Sequence, residues 1–397
     1  MRFVLILALS FLYSCSRSEN SSLTSEHSIA KLSNLDFALL IPFLEWPDLI
    51  DKVPSLKGAD TTEGSPFLAP GTLAAIDGRL RFPKFDSQVD NLHLSAIRFQ
   101  PCANLAQVKP SIDSCLPEMR IVWQSLERDE PDSTKLVGLD RNIHTSYKLS
   151  PLEFREVVRE LRALKRSSNF DDTNLPLLAH PIMLKEGLES PYLAGILKIV
   201  DRYANAEHLT SVAAQVNASI RGRWPMTLVS VQDGKVLDGP LPIFGDQNVF
   251  VQELSSFDVT EIDAPDFIAP IKDDIFLFPS DISKLTPANQ TIVRQNIVNA
   301  THRFENPLLE NPNTADCASC HMARIVRERF IDRFPDLQAG AKDFYTNTRW
   351  NLERENTVSS THASLQLFSF MGEYFVSQRV INESAMDVDM ANELYPE

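Results

Sequence analysis

Leu92-His93-Leu94-Ser95-Ala96-Ile97-Arg98-Phe99 sets Leu92, Leu94 and Ile97 beside His93, Ser95 and Arg98, a near-alternation of apolar and polar side chains. Alternation over so short a run reads as a strand with one face in a core. Short apolar runs of the same kind recur at Phe37 to Ile41, Met119 to Trp123, Leu209 to Ile220, Thr227 to Val231 and Val249 to Leu254. Pro, Gly and Asp break them apart, and Asp233-Gly234 stands between two of them as a hairpin turn. Two helices interrupt the strands. Ser150-Pro151-Leu152-Glu153 is a capping box with Pro at the first helical position, followed at helical spacing by Leu152, Val157, Leu161 and Leu164. Ser190-Pro191 opens another, with Leu193, Ile196, Leu197, Val200 and Tyr203. Residues 35–280 therefore read as a β-rich α+β domain.

Beyond 281 the pattern turns helical. Thr286-Pro287 starts a segment with Ile292, Val293, Ile297 and Val298 at helical intervals, and the chain to Glu397 is long enough for a small, mainly α-helical domain over 281–397. The whole chain has 397 residues, 43% of them hydrophobic, which supports sizeable cores and excludes a disordered protein. With 53 acidic and 38 basic residues the net charge is −15, so no nucleic acid is expected as partner. Met386 and Met390, among Asp387, Asp389 and Glu393, read as part of a solvated acidic tail.

The N-terminus reads as an address. Arg2 precedes an apolar stretch from Phe3 to Tyr13, too short to span a bilayer and suited to a secretory signal. It ends Leu12-Tyr13-Ser14-Cys15, which resembles the lipobox of bacterial lipoproteins, with Tyr13 bulkier than usual. That resemblance implies a signal peptide over 1–14, acylation of Cys15 and a lipid anchor in the membrane. Ser16 rather than Asp after the cysteine implies the outer membrane, on the periplasmic side of the bacterial envelope. Residues 15–34 are Ser-rich and read as a tether. An exported chain meets an oxidising compartment, so Cys102 and Cys115 are expected to form a disulfide. Buried free thiols are the alternative, and a zinc pair lacks further ligands at finger-like spacing.

Cys317-Ala318-Ser319-Cys320-His321 matches the attachment signature for c-type haem. Two thiols three residues apart on an incipient helical turn can each add to a haem vinyl group, and the next imidazole then meets the iron. Composition alone supplies such a match about 0.001 times in a chain like this. A redox dithiol would sit at a strand-to-helix junction, and a zinc knuckle would need a fourth ligand where only His302 is near. Cytochrome maturation follows export, so the signal and the motif agree.

On these residues the last part of the chain resembles the cytochrome c family. The stretches 311–321 and 376–384 also resemble a group of bacterial lipoproteins with a single such motif. The resemblance implies one haem c, bound covalently by Cys317 and Cys320, with His321 as proximal iron ligand. For the distal ligand it points to a downstream methionine: Met371, after Leu365, Leu367, Phe368 and Phe370, is one candidate and His362 the other, while His302 could approach from the upstream helix. Arg349, Trp350 and Arg379 are candidates for contact with haem propionates. The implied function is a membrane-anchored, periplasm-facing mono-haem cytochrome that transfers electrons to redox partner proteins. The alternative is an envelope binding or sensing lipoprotein in which haem is structural or a redox or gas sensor. Catalysis is less expected than electron transfer: a di-haem peroxidase needs a second motif, and no nucleophile elbow, dinucleotide fingerprint or P-loop is present.

Overall fold

The computed structural model describes residues 31–41, 52–56, 66–80, 92–105, 108–128, 136–168, 170, 175, 177–216, 223–237, 247–251, 259–263, 285–310, 323–324, 327–328, 330–346 and 376–396. Nine strands form its centre: β1 (Ala38–Leu40), β2 (Leu92–Gln100), β3 (Glu118–Arg128), β4 (Leu136–Lys148), β5 (Leu209–Val216), β6 (Arg223–Gln232), β7 (Lys235–Val236), β8 (Gln247–Val251) and β9 (Val259–Asp263). They pair antiparallel in the order β1-β2-β3-β4-β5-β6-β8-β9, with β7 folded back on β6. Asp233 and Gly234 make that last turn, both at positive φ (50° and 69°), as a two-residue primed hairpin requires. The expected mixed α+β architecture is present.

Strand β2 explains its own imperfect alternation. Pairing with β3 shifts register between Leu94 and Ala96, leaving Ser95 as the extra residue of a bulge. Leu94 and Ile97, three apart, therefore enter one core together with Leu92 and Phe99. The Ser95 hydroxyl donates to the Val122 carbonyl (3.0 Å), and its own carbonyl accepts from the Ile41 amide (3.0 Å). The polar residues are not solvated as half-buried alternation predicts: β2 is buried along its whole length, His93, Arg98 and Gln100 included.

Helix α2 (Thr72–Leu80) adds Leu73 and Ile76 to the core, and α3 (Pro151–Ser168) and α5 (Pro191–Tyr203) supply much of the cover, with the six-residue α4 (Pro181–Glu186) between them. The capping box forms as read: the Ser150 amide donates to Glu153 Oε2 (2.7 Å) and the Glu153 amide to Ser150 Oγ (3.3 Å). Ser190 Oγ caps α5 by accepting from the Leu193 amide (3.2 Å). Phe154, Val157, Val158 and Leu161 of α3 and Leu193, Ile196, Ile199 and Val200 of α5 join Trp123, Ile143 and Val212 of the sheet in one core. Each large side chain so buried contributes about 1.5–3 kcal/mol. Leu152, expected on that face, is exposed in the first turn.

A short helix α1 (Asn34–Phe37) precedes β1 and carries Asp36, which is wholly buried. Its Oδ2 accepts from the Ser33 amide (2.7 Å) and Lys165 Nζ (2.8 Å), and its Oδ1 accepts from the Tyr192 hydroxyl (2.7 Å). His180 stacks on the Tyr192 ring at 4.4 Å. Burial works to raise the Asp36 carboxyl, but His180, Lys165 and the Ser33 amide outweigh it and hold it at about 2. Leu32, Ser33 and Asn34, read as the end of the tether, are thus built into the fold.

The chain's last helix, α7 (Gln378–Leu394), lies in the stretch expected to form a haem domain over 281–397, and its Val388 and Ala391, with the adjoining Tyr395, join the core of the sheet, the Tyr395 ring 5.2 Å from Phe154. The expected solvated acidic tail is corrected in part: Met386, Asp387 and Met390 are buried, while Glu393 is exposed. The spacing Ile381, Ala385, Val388, Ala391 is the helical stripe that carries this burial. Among the described residues no helix is long and apolar enough to cross a membrane.

Candidate functional site

Helix α6 (Pro287–Glu305) starts where read, with Thr286 Oγ1 accepting from the Asn289 amide (3.4 Å) and Pro287 at its first position. It buries Ile297, Ala300 and Phe304 against Ala323, with Val293 and Phe330 at the margin, while Ile292 faces out. Ala323 and Arg324 are helical and begin the described chain after the Cys317-to-His321 motif.

The far end of α6 is held by α7. No glycine cap closes it, because Asn306 takes an extended conformation. The last carbonyls find donors elsewhere: Arg379 Nη1 donates to the Phe304 carbonyl (2.9 Å), and Asn382 Nδ2 donates to that of Glu305 (2.8 Å). Arg379 Nη2 reaches on to the Glu310 carbonyl (2.8 Å), and Arg379 Nε donates to Glu383 Oε1 (2.5 Å). Nε, Nη1 and Nη2 of this guanidinium are all engaged, so Arg379 clamps α6 to α7. Glu383 also takes Arg98 of β2, and Asp387 lies 4.0 Å from the same guanidinium. Burial works to raise the Glu383 carboxyl, but Arg379 and Arg98 hold it at about 2, whereas burial lifts that of Asp387 well above its ordinary value.

Between these helices lies a cavity of about 520 Å³, a size that suits a cofactor. His302 of α6, Arg324, Arg327, Phe344, Tyr345 and Asn382 are among the side chains that line it. Arg324 Nε donates to Glu328 Oε1 (2.6 Å), and Arg327 pairs with Glu305. Each guanidinium carries five N–H donors in all. The Phe344 ring meets His302 edge-on at 5.8 Å. His302 Nε2 is buried and has no hydrogen-bond partner. Burial, reinforced by the positive charge of Arg327, pushes its imidazole down to about 4, so the ring is neutral at pH 7.

Of the residues singled out from the sequence, Cys102 and Cys115 are described, and they form a disulfide with Cα atoms 4.5 Å apart. It packs with Leu105 against Met386 and Met390, pinning the β2–β3 connection to α7. Cys15, Cys317, Cys320, His321, Arg349, Trp350, His362 and Met371 lie outside the described residues. Among the described residues no group of three or more His, Cys, Asp or Glu is placed to hold a metal ion. The Arg98–Glu383–Arg379 cluster joins residues far apart in the chain. Its only local signal was the Arg379/Glu383 pair at helical i,i+4 spacing.

Fold and site together define an α+β protein in which one C-terminal helix serves both an antiparallel sheet and a helical cavity. Compared with protein-family models, curated proteins and solved structures, the chain matches none.

Proposed function

We propose that this chain is a lipid-anchored, mono-haem c-type cytochrome of the bacterial envelope that passes electrons to redox partner proteins. The observation that carries the reading is Cys317-Ala318-Ser319-Cys320-His321, after which the described chain resumes within two residues at a cavity wall. The cavity has an aromatic side and a larger polar one, with Glu305, Glu328, Gln338, Gln378 and Asn382 also on its wall. Phe344 and Tyr345 offer an aromatic side, Arg324 and Arg327 offer charge-assisted donors for carboxylates, and the buried Nε2 of His302 is without a partner. Cys317 and Cys320 would hold the group by thioether bonds, each S–H adding across a vinyl double bond so that no atom leaves. His321 would bind the iron. When bound, the group supplies a reversible one-electron couple. What the chain contributes is a fixed place for it: α6 is held at its far end by Arg379 and Asn382, so the wall that carries His302 is anchored to the core of the sheet. Cys15 would tie the assembly to the membrane, with most of residues 15–30 as tether.

The test is a haem stain after denaturing electrophoresis of chain co-expressed with cytochrome maturation machinery. Wild type should stain and the Cys317→Ser/Cys320→Ser variant should not. A colourless wild type overturns the proposal.

A further inference from the structure

We infer that the polar side of the cavity between α6 and α7 is a binding site for a neutral, polyhydroxylated ring, a mono- or disaccharide. The inference goes beyond the haem reading and stands with or without it, because none of the side chains it uses lies in the Cys317-to-His321 motif. Charge limits what the wall can take. Arg324 is taken by Glu328 (2.6 Å) and Arg327 by Glu305, so among the described residues the charged side chains of the cavity cancel in pairs. Burial keeps the His302 imidazole on the same wall neutral at pH 7. A chain of net charge −15 therefore has here a wall of no net charge. A cation finds both carboxylates already occupied. An anion finds each arginine already neutralised, within the field of an acidic protein that repels it. An uncharged ligand meets neither penalty.

Hydrogen bonding narrows the class further. Gln338, Gln378 and Asn382 add amides to the wall, and no aliphatic side chain is among the described residues that line it. Amides, guanidiniums and carboxylates together present both donors and acceptors, and a hydroxyl is itself one donor and two acceptors. A ring bearing several hydroxyls matches such a wall at many points. The wall is also set before a ligand arrives. Gln378 Nε2 donates to Asn382 Oδ1 (2.9 Å), and Asn382 Nδ2 donates to the Glu305 carbonyl (2.8 Å). Glu305 and Asn382 are buried, which holds their polar groups in place. Donors are left over: among the described residues Arg324 is bonded through Nε and Arg327 through Nη1, one each of five N–H groups. At the margin stands Phe344, 53% exposed, an aromatic face on which the C–H side of a sugar ring can lie. The cavity's volume, about 520 Å³, falls within the range of small-ligand sites, about 300–1,000 Å³.

The experiment is isothermal titration calorimetry of the full-length chain with glucose, N-acetylglucosamine, maltose and chitobiose. At least one should bind, and its affinity should change by less than about twofold between about 0.05 and 0.5 M sodium chloride, as contact between uncharged surfaces requires. Gln338→Ala and Phe344→Ala, both exposed at the cavity, should each weaken that binding about tenfold and leave the thermal unfolding midpoint unchanged. Leu152→Ala, an exposed apolar side chain of α3 outside the cavity, should bind as wild type does. Cys317→Ser/Cys320→Ser should bind the sugar as well as wild type, which separates the two readings: a chain that binds sugar and never stains for haem overturns the haem reading alone. A wild-type chain that binds none of the four sugars overturns the inference, and so does binding that neither Gln338→Ala nor Phe344→Ala weakens. Binding of phosphate or spermidine in place of sugar, lost as salt is raised, overturns it as well, since that is how a charged site behaves.

Discussion

Replacing Glu383 with Gln keeps the size of the side chain and deletes its charge, at a position 2% exposed. Arg98 of β2 and Arg379 of α7 then lose the carboxylate they share. Breaking a buried pair by removing one partner costs about 3–5 kcal/mol. A second route gives a similar figure. The carboxyl is held at about 2 against an ordinary 4.5, and that depression converts to about 3 kcal/mol of stability at neutral pH. The lower end of the range is favoured, because Asp387 stands 4.0 Å from Arg98 and part of what lifts its carboxyl is the charge of Glu383. With that charge gone, Asp387 ionises more readily and takes up part of the role.

The sign with pH follows. Glu383 has a depressed folded value, so its contribution is complete above about 4.5 and disappears as pH falls through 2. Asp387 has a raised value and acts oppositely: it favours the fold at low pH, an advantage lost as pH rises through its folded value. Subtracting the two chains leaves the Glu383 part together with the change that its loss makes in Asp387. Urea unfolding followed by circular dichroism should show Glu383→Gln less stable by about 3 kcal/mol at pH 7, with the gap closing between pH 4.5 and 2. A gap under about 1 kcal/mol at pH 7, within the range of ordinary surface substitutions, would refute the reasoning. A gap that does not narrow with acid would refute it as well.

Cys102→Ser/Cys115→Ser opens a loop of sequence separation 13 and should cost about 3 kcal/mol in urea midpoint analysis; a loss below about 1 kcal/mol would mean that the packing on Met386 and Met390 holds the connection without the bond. Asp36→Asn removes the carboxylate facing Lys165 and should cost about 3–5 kcal/mol. Adding Lys165→Met in the same chain should restore a large part of the loss in thermal unfolding, and a purely additive double variant would show that the two side chains are not energetically coupled.

Legibility in the sequence followed the range of the interaction. Caps and turns are made by residues within four positions of one another, so Ser150/Glu153, Ser190, Thr286 and Asp233-Gly234 were readable and take the places expected of them. Strands β1, β2, β3, β5, β6 and β8 fall in the short apolar runs, whereas β4, the longest, and β9 do not. Alternation in β2 also hid a bulge at Ser95, which shows only once β3 is paired with it. What was not legible spans the chain. Arg98 meets Glu383 across 285 positions and Lys165 meets Asp36 across 129, and nothing local in either pair distinguishes a buried partner from a solvated charge. The same limit misread α7. Its acids suggest solvent by composition, and only the stripe Ile381, Ala385, Val388, Ala391 indicates burial. Of the candidate site, the haem motif was plain in the sequence, while the unpartnered Nε2 of His302 is a property of the packed cavity.

Helix α7 explains why that cavity can keep its shape. The last four carbonyls of a helix have no partner within it, and α6 ends without a glycine cap or side-chain cap of its own. Left alone, its last turn would fray, and His302 lies within that turn. Arg379 and Asn382 prevent this by donating to Phe304, Glu305 and Glu310, and they can do so only while α7 keeps its position. That position is set on the other side of the helix, by Glu383 against Arg98 and by Val388 and Ala391 in the sheet core. A guanidinium held at one end by a carboxylate and at the other by two carbonyls has little freedom to turn. The large antiparallel sheet therefore serves the helical part of the chain directly: it is the rigid body against which α7, and through it the end of α6, is fixed.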